Sequence, residues 1–137
     1  MPPCPISLSG EECTSLETPV LKEEVFRVLQ SMKSYKAQGP DGFQLIFFKN
    51  YWNEVGEDVW RFVAMAFETG RINPKATETL LVLIPKIDHP TTFKDFCPIS
   101  LCNVVYKLVS KILVNRLRPI LMRLVSPLQN NFILGHY

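Results

Sequence analysis

A short, continuous apolar run interrupts an otherwise helical pattern near the middle of this chain of 137 residues. Residues 79–101 open with the β-prone segment LLVLI at 80–84, which Pro85 and Lys86 end. A polar connection leads to a second apolar segment, PISL at 98–101. Two such runs joined by turn residues predict a pair of strands, or a strand and a tight return. The connection, residues 85–95, is too long for a tight hairpin.

Helical spacing of apolar residues dominates the rest of the chain. It predicts one helix at about 20–34, a second helical region from Phe43 to Phe67, and a long helix from Asn103 to about Leu124 that Pro119 should kink or split. Aromatic residues crowd the start of the second region, and their spacing favours a packed helix face over a platform for stacked bases.

The overall fold class follows from these elements. We expect an α+β protein that is mostly helical, with a small β element at about 79–101. Residues 1–17 mix Pro, Ser, Gly and Glu without a period and are predicted to be a loose leader. Residues 18–137 are predicted to form one domain, for which 47% hydrophobic content is sufficient.

The composition also limits where in the cell the protein is expected and whether it is expected to bind a metal ion. No signal peptide and no run of 18 apolar residues is present, so we expect an intracellular protein, nuclear or cytoplasmic, without a membrane contact. The cysteines and histidines have no zinc-finger spacing, which favours free thiols. The acids fall in turns, caps or strand edges, and no pair indicates a metal site.

The net charge of +2 conceals an uneven distribution. Residues 1–95 have a net charge of −3, whereas residues 96–137 contain five cations and no acid, namely Lys107, Lys111, Arg116, Arg118 and Arg123. Lys107 and Lys111 are four residues apart on one helix face, which Asn115 and Arg118 continue. This basic face of 107–123 indicates either a polyanionic partner or an ordinary solvated helix surface.

Two loops carry candidate contacts for phosphate. Lys86, His89 and Lys94 lie on the connection between the predicted strands, where a solvated loop is the favoured interpretation and a phosphate chain the alternative. KAQGPDG at 36–42 breaks the first helix with turn chemistry supplied by Gly39 and by Pro40-Asp41-Gly42. We interpret this segment first as a turn between helices.

Three motifs, at 36–43, at 83–86 together with 97–103, and at 127–137, resemble the reverse transcriptase domain of plant LINE-type, non-LTR retrotransposons. LIPK at 83–86 and CPISLCN at 97–103 resemble the family's L-I-P-K and R-P-I-S-L-C-N. KAQGPDGF at 36–43 resembles K-A-P-G-P-D-G-F, and PLQNNFILGHY at 127–137 resembles Q-x-x-F-I-P-G-R. The motifs occur in the family's order and cover most of the chain.

The resemblance implies a partial reverse transcriptase domain with fingers and proximal palm, whose partners would be an RNA or DNA template-primer. Lys86 is then a phosphate contact for the incoming nucleotide, and Cys97 stands at the position of the family's second phosphate ligand, an arginine. Contacts to the template or other nucleic acid would come from Lys36, Gly39, Asp41, Gly42, Lys107, Lys111, Arg118 and Gln129.

The resemblance also implies what is missing. The family enzyme holds Mg²⁺ with palm aspartates that follow the last motif, and this chain ends before them. We therefore expect no catalytic residue, no metal site and no cofactor in this chain, and activity of the chain alone is not expected. The missing palm and thumb segments would be its natural packing partner. Two alternatives stay open: a residual nucleic-acid-binding module that uses the basic face of 107–123, and a degenerate transposon product without a cellular role.

Overall fold

Helices make up most of the fold, with one pair of strands between the fifth and sixth helix. The computed structural model describes residues 7–124. The elements in order are α1 (Gly10–Glu17), α2 (Lys22–Ser31), α3 (Leu45–Asn50), α4 (Trp52–Thr69), α5 (Pro74–Thr77), β1 (Thr79–Pro85), a 3₁₀ turn (Phe93–Asp95), β2 (Phe96–Cys102) and α6 (Val104–Leu124). The predicted α+β class is confirmed, as is the position of the β element.

The core lies where α2, α4 and α6 meet. Its largest fully buried side chains recur at helical spacing on these three helices: Val25, Leu29, Val63, Leu108 and Ile112. Burial of each such side chain stabilises the fold by about 1.5–3 kcal/mol. The indole N–H of Trp60 donates to the carbonyl oxygen of Val20 at 2.8 Å, which joins α4 to the segment before α2. The helices that carry the candidate basic residues therefore stand on one packed core.

The aromatic segment forms a packed face, as its spacing predicts. Phe48 is buried, and the ring of Phe47 lies 5.4 Å from that of Phe48 and 5.1 Å from that of Tyr51. Tyr51 separates α3 from α4, and α4 ends at Gly70 in the left-handed conformation that glycine accepts at low cost. Since Phe43 and Tyr51 remain about half exposed, the packed face is incomplete at its edge.

The strands β1 and β2 pair antiparallel, from Thr79 opposite Cys102 to Pro85 opposite Phe96. The connection between them is ordered by Asp95, whose carboxylate accepts from the backbone N–H groups of Thr91 and Thr92 at 3.0 and 2.8 Å. These backbone donors lower the pKa of Asp95, since they favour its ionised form. All residues of β1 are exposed, although the strand is almost entirely apolar.

The prediction of a loose leader is wrong for residues 10–17, which form α1. Ser9 and Glu12 make a reciprocal capping box, in which each side chain accepts from the other residue's backbone N–H. Arg123 of α6 then binds the carboxylate of Glu12 through two nitrogens at 3.0 and 2.7 Å. The Ser-x-x-Glu capping signal can be read from residues 9–12 alone, whereas the pairing of Glu12 with Arg123 cannot be read from the sequence.

A second correction concerns Pro119. The expected split does not occur, because α6 runs without interruption from Val104 to Leu124. Proline cannot donate to the carbonyl of Asn115, but Asn115 is exposed, so that carbonyl can bind water. No helix within residues 7–124 is both long and apolar enough to cross a bilayer.

Candidate functional site

The turn at 36–42 is built as its sequence predicts. The N–H of Gly42 donates to the carbonyl of Gly39 at 3.0 Å, which places Pro40 and Asp41 at the two central positions. Gly42 has a φ of 76°, a conformation that strains other residues. The carboxylate of Asp41 accepts from the backbone N–H of Phe43 at 3.0 Å. Asp41 and Gly42 therefore have structural roles in the turn itself.

Asn103 fixes this turn against the rest of the fold, and the sequence analysis did not single it out. It is the one buried polar residue of the described chain, at 4% exposure. Its side-chain oxygen accepts from the N–H of Asp41 at 3.1 Å, and its amide nitrogen donates to the carbonyls of Lys75 and Ala76, each at 3.4 Å. An asparagine directly before an apolar helical run is a typical helix-start signal and could have identified it.

The close contact with Asn103 also explains Gly39. Gly39 is buried, and a Cβ placed there would lie 2.5 Å from the backbone N of Asn103 and from the carbonyl carbon of Cys102. The turn consequently sits directly on the junction of β2 and α6. Because Lys36 is three residues before Gly39, this contact places Lys36 beside α6.

Four lysines from two distant segments line one cavity of about 270 Å³, which we call the lysine cavity. Lys33 and Lys36 come from the segment after α2, and Lys107 and Lys111 come from α6. The ammonium of Lys107 donates to the carbonyl of Ala37 at 3.4 Å, which ties the two sides together. The structure thus brings together three of the predicted contacts, Lys36, Lys107 and Lys111, and adds Lys33.

The walls of the lysine cavity contain no acid. The remaining lining residues are apolar or small: Ser31, Met32, Ala37, Leu45 and Val104. Within residues 7–124, none of the four lysines forms an ion pair. Four lysines around one cavity that form no ion pair within the described residues favour the approach of an anion.

Lys49 lies close in sequence to this region but has a different role. Its ammonium donates to the carbonyls of Gln30 and Met32 at 3.2 and 2.7 Å and to the hydroxyl of Ser34 at 3.1 Å. These acceptors stand at and beyond the carboxyl end of α2, where carbonyl groups lack helical partners. Lys49 therefore fixes the segment that leads to Lys33 and Lys36.

The lysine cavity continues as a groove between α2 and α6. A second cavity of about 270 Å³ shares Ser31 with it and is also lined by Glu24, Arg27, Val28 and Asn115. On α6, Lys107, Lys111, Asn115 and Arg118 follow one another at helical spacing along one side. We call this feature, from Lys107 to Arg118 beside α2, the α2–α6 groove.

The predicted basic face of 107–123 is smaller than its sequence indicates. Arg116 is turned into the fold, where its guanidinium binds the carboxylate of Glu24 and lies 5.3 Å from the centre of the Phe67 ring. Arg123 is paired with Glu12. The tertiary structure therefore leaves Lys107, Lys111 and Arg118 as the cations of that face without an ion pair within the described chain.

The other pair of predicted phosphate contacts lies on the hairpin. Cys97 is opposite Ile84 in the strand pair, and Lys86 directly follows Pro85, the last residue of β1, so both lie at the same end of the hairpin. The ammonium of Lys86 donates to the carbonyl of Lys94 at 3.2 Å, and both Lys86 and Cys97 are exposed. Gln129, the remaining predicted contact, lies outside the described residues.

Residues 7–124 contain no cluster of three or more His, Cys, Asp or Glu side chains that could hold a metal ion. The three cysteines of this part, Cys13, Cys97 and Cys102, form no disulfide. The arrangement that remains is a cationic groove and an exposed hairpin.

Comparison with known proteins relates the chain to a mobile element. The chain is 32% identical over 120 residues to the "Transposon TX1 uncharacterized 149 kDa protein" of Xenopus laevis, and the match covers 88% of this chain. It covers 9% of that much longer protein. No protein-family model matches the chain. The chain is therefore similar, over most of its length, to one short part of a transposon protein.

Proposed function

We propose that this chain corresponds to the fingers of a non-LTR retrotransposon reverse transcriptase and that it binds the phosphate backbone of a single-stranded nucleic acid. The similarity to a transposon protein supports the origin. The ordered motifs at 36–43, 83–86, 97–103 and 127–137 support the domain. The observation that carries the binding function is the convergence of Lys36 with Lys107 and Lys111 on one cavity, although about 70 residues separate them in sequence.

The α2–α6 groove offers a path for the backbone. From Lys107 to Arg118, α6 advances by about 16 Å at 1.5 Å per residue. Lys36 stands at one end of this path, and Arg27 lies beside its middle. Phosphates along the path would displace counterions from these cations, which makes the affinity fall with salt.

Catalysis is not part of the function that we propose for this segment. Polymerisation requires carboxylates that hold two Mg²⁺ ions, and the described acids do not fit that role. The carboxylate of Asp41 accepts from Phe43, that of Asp95 accepts from Thr91 and Thr92, and no third acid joins either of them within residues 7–124. A polymerase built with this segment would take its metal ligands from another segment.

The hairpin would serve the same enzyme in a different way. By the resemblance to the family motif, Lys86 would contact a phosphate of the incoming nucleotide, and Cys97 stands at the position of the motif's arginine. A thiol cannot form the forked contact of a guanidinium with phosphate oxygens. The exposed apolar strands would be the surface on which palm and thumb segments pack.

Fluorescence anisotropy of a labelled single-stranded RNA 12-mer, titrated with the protein at several salt concentrations, tests the binding. The logarithm of affinity should fall linearly with the logarithm of salt, by about 0.7 per neutralised phosphate. Replacement of Lys107, Lys111 and Arg118 by Ala should reduce that slope by about 2, since three contacts are lost.

The control is a triple variant with the same change in charge away from the groove. Arg61, Arg71 and Lys75 are exposed cations on and after α4, and none of them lines the lysine cavity. Their replacement by Ala should leave the slope within about 0.7 of the unsubstituted protein. Absence of RNA binding at low salt, or equal slopes in the two triple variants, would overturn the proposal.

A further inference from the structure

We propose that the lysine cavity accepts one unstacked base of a single-stranded nucleic acid, while the lysines around it hold the adjacent phosphates. This inference rests on the proposed function, because it assigns a particular contact to the strand that occupies the α2–α6 groove. It adds a site for a base to a surface that otherwise contacts only phosphates. Such a site would set the register of the strand on the protein.

The size and lining of the cavity suit one planar ring. Its volume of about 270 Å³ is close to the lower limit of small-molecule sites, near 300 Å³. Met32, Leu45 and Val104 provide an apolar wall, and the methionine thioether makes favourable contacts with aromatic rings. Leu45 and Val104 belong to the buried core, so the wall exists before a ligand arrives.

The polar groups around the cavity indicate which chemical groups the ligand carries beside its planar ring. Lys33, Lys36, Lys107 and Lys111 are donors without acceptor capacity. The hydroxyl of Ser31 donates its proton to the carbonyl of Val28 at 2.7 Å and is left only as an acceptor. A ligand with an apolar planar body and anionic oxygens on its edge meets these conditions, and a nucleotide has both parts.

The continuation of the cavity indicates a strand rather than a free nucleotide. The second cavity shares Ser31 with the first and is lined by Arg27 of α2 and Asn115 of α6, and its acid, Glu24, is paired with Arg116. A base seated in the lysine cavity would leave its neighbouring nucleotide directed along this groove, where Arg27 lines the second cavity and Arg118 follows Asn115 by three residues on α6. A free mononucleotide could not use these contacts.

The decisive variant fills the cavity without a change in charge. Ala37 lines the cavity from an exposed loop, so that Ala37→Leu should occupy part of its volume and leave the fold intact. Gln38→Leu is the matched control, because Gln38 is the exposed next residue and does not line the cavity. Circular dichroism and thermal unfolding verify that both variants fold.

The two variants are compared on an RNA 12-mer and on the same 12-mer with abasic sites at its four central positions. The intact RNA should bind the unsubstituted protein about tenfold more tightly than the abasic RNA, as expected for loss of a base contact. Ala37→Leu should weaken intact RNA to the level of abasic RNA and leave the salt slope unchanged. Gln38→Leu should have neither effect.

Different experimental results would overturn the base site and the proposed backbone binding. Equal affinities for intact and abasic RNA, or equal losses with Ala37→Leu on both, would overturn the base site while the salt slope still supports backbone binding. Competition by AMP at the concentration of the RNA would also overturn it, in favour of a mononucleotide site. Equally strong competition by polyglutamate would replace it with a general anion site. Absence of any RNA binding would overturn both proposals.

Discussion

The guanidinium of Arg116 on α6 forms a two-point ion pair with the carboxylate of Glu24 on α2, with nitrogen–oxygen distances of 3.0 and 2.7 Å. The same guanidinium donates to the carbonyls of Leu16 and Thr18 at 3.2 and 2.6 Å. The Arg116 side chain is only 11% exposed. One cation of an apparently continuous basic helix is therefore paired inside the fold, whereas Lys107, Lys111 and Arg118 have no ion pair within residues 7–124.

Replacement of Arg116 by Met should lower the free energy of unfolding by about 3 kcal/mol, because it leaves the carboxylate of Glu24 and two carbonyls without their donor. Methionine also removes the cation that lies 5.3 Å from the centre of the Phe67 ring, so the loss includes this contact. Urea unfolding followed by tryptophan fluorescence measures it. Arg118→Met, on the same helix and without an ion pair in the described chain, should stay within about 0.5 kcal/mol of the unsubstituted protein. Equal losses of stability in the two variants would contradict the role of Arg116 in holding α6 to α2.

Gly39→Ala should destabilise the protein by about 1–3 kcal/mol, because the new Cβ would overlap backbone atoms of Cys102 and Asn103. Gly10→Ala is the control, since nothing described lies within 4 Å of a Cβ at Gly10 in the first turn of α1. It should be neutral or stabilising by up to about 1 kcal/mol. Thermal unfolding of both variants gives the comparison, and an unchanged melting temperature for Gly39→Ala would show that the turn does not rest on Asn103.

Lowering the pH should weaken the attachment of α1 to α6. The backbone N–H of Ser9 and then the guanidinium of Arg123 lower the pKa of Glu12 below its value in the unfolded chain. The stabilisation is complete above the unfolded pKa and is lost as the pH falls through the lower, folded pKa. Glu12→Gln should therefore be less stable than the unsubstituted protein at pH 7, and the difference should shrink toward pH 3. A difference that is constant over this range would contradict the ionic contribution of Glu12.

The hairpin should promote self-association. Leu81 and Leu83 lie on one face of β1 with exposures of 67% and 44%, and β1 contributes one edge of a two-stranded sheet. Leu81→Thr with Leu83→Thr retains β propensity and should reduce the average mass in sedimentation velocity toward that of the monomer. Met65→Thr, a change at an exposed apolar residue of α4, is the control and should leave the mass distribution unchanged. A monodisperse unsubstituted monomer would contradict the prediction.

Local signals in the sequence were sufficient for most elements of the fold. The apolar run at 80–84, ended by Pro85, predicts β1 over 79–85, and the structure has these bounds. The Pro-Asp-Gly segment predicts the turn at 39–42, because few conformations are open to proline and because glycine accepts a positive φ. The predicted loose leader failed because the contact that holds α1, between Glu12 and Arg123, spans 111 residues.

The sequence by itself determined the number and type of the cations near the carboxyl end of this chain, and their spacing on α6. The tertiary structure decided which of them are free. Arg116 and Arg123 meet the carboxylates of Glu24 and Glu12, whereas Lys107 and Lys111 meet Lys33 and Lys36 around a cavity. The physical reason is that an ion pair depends on distance in space, and residues about 70–110 positions apart acquire that distance only when α1, α2 and α6 pack together.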